Sequence, residues 1–176
     1  MVSVSDFIQL KKVDCHNHLN LGMRYASYVP WAGFEIPNFP RKMNGLGEMH
    51  EVIGQYTRVR TATKKDVQDV ISLAIQDAIA DGVTVLEGSV DLNFVNMCNG
   101  NVDEFCQMVS DIRKKFENRI NFFPELGMGK LFDKQKIDAW VPDCLKSGIF
   151  KSIDLYGPEV EDGLDGFVYL PAPRLA

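Results

Sequence analysis

The sequence predicts an α/β fold of about four parallel strands joined by crossover helices. Three observations carry this. Short apolar runs alternate with longer segments whose apolar residues recur at helical spacing. Glycines stand where two of those helical segments stop, at Gly82 and Gly148. Strands that alternate with helices in this way pair in parallel, through right-handed crossovers.

The first strand is read at 13–19. An irregular stretch follows at 20–61, holding Pro30, Trp31, Gly33, Phe34, Pro37, Phe39, Pro40 and an Asn44-Gly45 turn signal. Loops of this length are usually functional or disordered, and the aromatic content here favours a packed lid. A helix then starts at Thr63, a good N-cap, with Asp66 three residues on. Val67, Val70, Ile71, Ala74, Ile75, Ala78 and Ile79 form its apolar face, and Asp81-Gly82 ends it. A short buried strand follows at 83–86.

A second helix covers about 102–116, with Phe105, Met108, Val109 and Ile112 inward. A strand is read at 120–126. A third helix covers about 134–146, with Ile137, Trp140, Val141 and Leu145 inward, and the fourth strand is 152–156. Residues 160–176 could open another helix, but Pro171 and Pro173 break it. The tail 171–176 therefore reads as disordered or non-native. The whole chain, 1–176, is expected to be one partial barrel domain.

Composition narrows the function classes. The formal net charge is -5, so the surface lacks the basic balance that nucleic acid or an anionic membrane requires. No apolar run is long enough to span a bilayer. Residues 1–6 carry no basic region leading into an apolar core, so no secretory signal is read. The cysteines Cys15, Cys98, Cys106 and Cys144 are scattered and form no C-x-x-C pair. Reduced thiols in a cytoplasmic protein are expected.

The run 12–20, from Lys12 to Asn20, carries the chemistry. Alternate side chains of a strand share a face, so Asp14, His16 and His18 are expected to point one way. Three polar side chains on one face need partners. Two imidazoles at this spacing, at the C-terminal end of a barrel strand, can grip one divalent metal. His16 and His18 are therefore the expected ligands.

These residues resemble the opening strand of the adenosine deaminase family of the amidohydrolase superfamily. There, a basic and an acidic residue precede His-x-His-Leu, as Lys12, Asp14, His16, His18 and Leu19 do here. Ser152, Ile153, Asp154, Leu155, Tyr156, Gly157, Pro158 and Glu159 are similar to the family's fourth-strand motif. The run 80–87, from Asp81-Gly82 to Glu87, looks like its second strand. The matches fall in the expected order over roughly residues 11 to 160.

The resemblance implies a (β/α)8 barrel with one zinc, held by the His-x-His, a later His and a late Asp. Such a metal lowers the pKa of bound water to about 7. A fifth-strand Glu of that family protonates a purine nitrogen, and attack on the ring expels ammonia. Carried over by position, Gly157 matches the glycine whose backbone meets the base. Asp154 matches the Asp beside it, with a structural role expected. Asn20 stands where the family has an Asp near the substrate, and Pro158 replaces an acidic residue. The later His, Glu and Asp have no counterpart here.

A full barrel of this type takes about 250 residues and eight strands, so a partial TIM-type half-barrel is expected. Its open strand edges invite pairing with another chain. The expectation is a truncated, inactive or assembly-dependent deaminase taking a nucleoside or purine-like substrate. A different amidohydrolase and a non-catalytic assembly module are the alternatives. His50 could supply a third ligand from the lid, although a solvated or capping histidine is the expected reading. Glu87 and Glu125, at the ends of predicted strands, could face the mouth, as structural or supporting carboxylates first and as ligands or general acids second.

Overall fold

A computed structural model describes residues 6–7, 10–37, 42–43, 45–58 and 60–157. The readings of Phe39, Pro40, Asn44, Pro158, Glu159, the segment 160–176 and its tail 171–176 lie outside the described residues. Four strands form one sheet in the order β1 (Lys12–His18), β2 (Val83–Asp91), β3 (Asn121–Gly129) and β4 (Ser152–Tyr156). Every neighbouring pair is parallel. Spatial order equals chain order. Right-handed crossovers in that order put every connecting helix on one face, and the sheet curls with its other face inward. This is half of a (β/α) barrel.

The three crossover helices lie where the periodicity puts them: α3 (Lys64–Ala80), α4 (Val102–Phe116) and α5 (Lys134–Lys146). Thr63 and Asp66 form a reciprocal capping box at the start of α3. Gly82 follows that helix with φ of 85°, a left-handed conformation that costs glycine little. The main core lies between these helices and the outer sheet face. Leu86, Val90, Phe105, Phe122, Leu126 and Met128 anchor it, all essentially inaccessible. Each such side chain contributes about 1.5–3 kcal/mol relative to leaving it exposed.

β2 and β3 both run further than the apolar patterns suggest. Gly88-Ser89 and Pro124 interrupt those patterns, as do Gly127 and Gly129. Ladder pairing overrides the interruption: Gly88 pairs with Pro124, Ser89 with Glu125 and Asp91 with Gly127.

The described residues of the stretch 20–61 are not all irregular. They hold α1 (Tyr25–Ala32), α2 (Leu46–Ile53) and a π-turn at Gly54–Arg58. α1 escaped notice because Pro30 lies inside it and Arg24 makes no side-chain cap. Tertiary packing supplies what propensity does not. Tyr28, Ala32 and Ile36 bury against Val70 of α3, and the Tyr28 hydroxyl donates to the Tyr56 carbonyl at 2.9 Å. No helix among the described residues is long and apolar enough to cross a membrane.

Candidate metal centre

The geometry of β1 decides which side chains enter the half-barrel. Asp14 pairs with Leu86 and Asn17 with Gly88, so three steps on β1 match two on β2. One extra residue is a bulge, and it reverses the face on which later side chains stand. His18 pairs with Ser89, and Ser89 stands an odd number of residues from the core residue Leu86. Asp14 therefore faces the helices, not the interior. Its carboxylate accepts from Asn17 Nδ2 at 3.0 Å and from the His16 backbone N–H at 3.3 Å. The expected common face of Asp14, His16 and His18 is corrected: strict alternation fails at the bulge, and only the two histidines share the inner face.

There the two imidazoles meet. Their Nε2 atoms lie 3.2 Å apart, with ring planes at 88°. Asp154 of β4 faces them, with carboxylate oxygens 3.6 Å from His18 Nε2 and 4.0 Å from His16 Nε2. Its side chain is only 10% exposed, and its Oδ2 is buried without a hydrogen-bond partner. A buried carboxylate oxygen with no donor is costly unless a cation or water satisfies it. His16, His18 and Asp154 are the one group of the described residues whose ligand atoms converge in the manner of a metal site.

Size supports the fit. A zinc–nitrogen bond is about 2.0–2.1 Å, so two nitrogens on one tetrahedral ion stand about 3.3 Å apart. The observed 3.2 Å matches that edge. The donor set of imidazole, imidazole and carboxylate is one that zinc accepts.

Around this group, Glu125 of β3 is 9% exposed and places Oε2 3.3 Å from His16 Nδ1. The Ser152 hydroxyl donates to its other oxygen at 3.0 Å. Tyr156 lies edge-on to His18, with centroids 5.0 Å apart. Gly127 makes room for it: a Cβ there would stand 3.3 Å from the Tyr156 ring and 2.2 Å from Ser89 Oγ.

Gly157 follows β4 and Asn20 follows β1, so parallel strands put both at the same C-terminal mouth as the histidines. Gly157 has φ of 128°, a conformation other residues rarely adopt. His50 is exposed on α2 and does not join the converging group. Glu87 does not end its strand; it is exposed at mid-β2, opposite Phe123, because β2 runs on to Asp91. The sequence reading missed Ser152 and Tyr156. The signal was available: Ser152, Asp154 and Tyr156 alternate along β4 and share a face. All four cysteines are free thiols, with Cys98, Cys106 and Cys144 buried.

The fold is thus a curled parallel half of a (β/α) barrel with a His-x-His at its mouth. No protein-family model matches the sequence. A Treponema pallidum protein assigned as an adenosine/adenine deaminase is 43% identical over 170 residues, 97% of this chain and 57% of that protein. A zinc-bound amidohydrolase from Burkholderia ambifaria superposes with a TM-score of 0.66 at 18% identity, over 92% of this chain and 49% of that one. The N6-methyl-AMP deaminase of Arabidopsis thaliana, solved in its apo form, gives 0.63 at 16% identity, over 88% and 51%. The chain thus spans little more than half of the curated relative it matches, and about half of these solved structures. At such identities the solved structures establish the fold. With the curated relative, they identify the chain as resembling the N-terminal half of the adenosine deaminase family of the amidohydrolase superfamily.

Proposed function

We propose that these residues form the metal-bearing half of a cytoplasmic enzyme of purine metabolism. It deaminates adenosine or a related amino-purine hydrolytically and depends on one zinc. The observation that carries this is the meeting of His16 and His18 at 3.2 Å beside the unsatisfied Asp154 oxygen. His16 and His18 would hold the ion, with Asp154 as the nearest carboxylate. A zinc so held acidifies water to a pKa of about 7, supplying a nucleophile at neutral pH.

The chain's own residues do the rest of what this half can do. Gly157 offers backbone to a planar base at the mouth. Asn20 offers an amide on the opposite rim. Tyr156 walls the site beside His18. The kinship to proteins described as acting on adenosine, adenine and N6-methyl-AMP supports a purine substrate.

Deamination needs a general acid and further ligands that the resemblance assigns to later strands, so this chain alone is inactive in this reading. The test is ammonia release from adenosine and from adenine, assayed on this chain and on this chain joined to the part of the Treponema relative that it does not cover. Zinc-dependent release from the joined protein only, abolished by His16→Ala, supports the proposal. A folded, zinc-loaded joined protein that releases no ammonia from either compound contradicts it.

The open inner face favours a second reading, an assembly-dependent half-barrel. Val13 is 61% exposed and Phe123 44% exposed on the side that closing strands cover in a full barrel. Light scattering across a concentration series tests it: a dimer of this chain supports it, and a monodisperse monomer with cooperative melting counts against it.

A further inference from the structure

We infer that Glu125 is a positioning residue for His16, and that Ser152 braces it. This rests on the metal reading above and extends it to a residue outside the ligand group. A glutamate is almost never as buried as Glu125, at 9% exposure, unless it is partnered. Its partners are His16 Nδ1 at 3.3 Å and Ser152 Oγ at 3.0 Å, from β1 and β4.

The register shows how Glu125 spans that distance. His18, Ser89, Glu125 and Ser152 pair in succession across the four strands, forming one row. Ser89 is the small member between the histidine strand and Glu125, and it is 2% exposed. Its short side chain leaves room for Glu125 to cross over β2 toward His16.

The chemistry of imidazole gives this contact a consequence. A neutral ring carries one N–H and one lone pair. A carboxylate at Nδ1 accepts the N–H there, so the lone pair stands on Nε2. Nε2 is the atom that faces His18 and Asp154. Glu125 thus fixes both the tautomer and the ring orientation that a metal requires. Partners of this kind typically change metal affinity 10–100-fold, about that range when removed.

Two measurements on the full chain test this. The first is the tautomer of His16 in the metal-free protein, read by proton–nitrogen NMR of the histidine rings. The inference expects Nδ1–H in the unaltered protein and a shift toward Nε2–H in Glu125→Ala. An Nε2–H tautomer in the unaltered protein overturns it. The second is the zinc dissociation constant by chelator competition, with thermal melting as the check on folding.

Glu125→Ala is expected to weaken zinc by about 10–100-fold. Glu125→Gln, whose amide oxygen still accepts from Nδ1–H, recovers much of that, and Ser152→Ala weakens it less than Glu125→Ala does. Should Glu125→Ala fail to fold, the ordering of Glu125→Gln and Ser152→Ala below the unaltered protein carries the same test. Unchanged affinity in the Glu125 and Ser152 variants, beside a loss in His16→Ala, overturns the positioning role alone. Unchanged affinity in His16→Ala as well overturns the metal reading, and this inference with it.

Discussion

Asp14 and His18 stand on one strand and face opposite sides of the sheet, because a single bulged residue lies between them. The bulge turns the His-x-His inward and leaves Asp14 on the helix side, bonded to Asn17. Bulges re-aim side chains next to functional sites, and this one sits at the mouth of the half-barrel.

Asp14 and His18 should therefore separate cleanly in experiment. Asp14→Ala removes the bonds to Asn17 and to the His16 backbone, costing about 1 kcal/mol. It leaves the bound zinc per chain unchanged. His18→Ala removes the zinc at little cost in stability. Urea midpoints and metal analysis of the two variants, side by side, check this. Zinc lost from a folded Asp14→Ala protein would show that the acid belongs to the centre after all.

Asp66 makes a pH-dependent contribution. Burial opposes its ionisation, but bonds from Thr63 and the Arg60 guanidinium outweigh that and hold its carboxyl below the ordinary value. A depressed folded pKa means that the stabilisation is fully present above the unfolded carboxylate value of about 3.9. It is lost as pH falls through the lower folded value. Asp66→Asn should cost about 1–2 kcal/mol at neutral pH. The gap to the unaltered protein should close in acid, as urea denaturation at a series of pH values would show. A gap independent of pH contradicts the assignment.

Gly127 is required by its neighbours rather than by its backbone. A Cβ there meets Ser89 Oγ at 2.2 Å and the Val90 carbonyl at 3.5 Å. Gly127→Ala should cost about 1–3 kcal/mol, the usual range for overpacking. Ser89→Ala removes the nearest obstacle and should restore part of the loss. A double-mutant cycle should give a coupling above about 0.5 kcal/mol. Additive effects would mean that the two sites do not crowd each other.

Much of the fold was legible in the sequence because the crossover helices carry strong local signals. Thr63 and Asp66 announce α3, and the expected apolar faces agree with the burial of Phe105 and Met108 in α4 and of Val141 in α5, whereas Leu145, expected inward, is 37% exposed and Cys144 beside it is buried in its place. β4 was equally plain. The segment 20–61 was not, since α1 is held by Tyr28 against Val70, a contact far apart in sequence. The paired histidines His16 and His18 stood out by type and position. Asp154 did not, because its value comes from β4 curling round to face β1. Glu125 was noticed as a strand-end acid, but its link to His16 spans three strands. The face of Asp14 was misread because a bulge leaves no mark in a run of alternating residues.

Zinc content tests the account most directly. The purified chain, exposed to zinc at neutral pH and freed of excess, should retain about one ion per chain, as a single site of this donor type requires. His16→Ala and His18→Ala, still folded by circular dichroism, should retain essentially none. An unaltered, folded chain that holds no zinc under these conditions would contradict the claim on which the proposed chemistry stands.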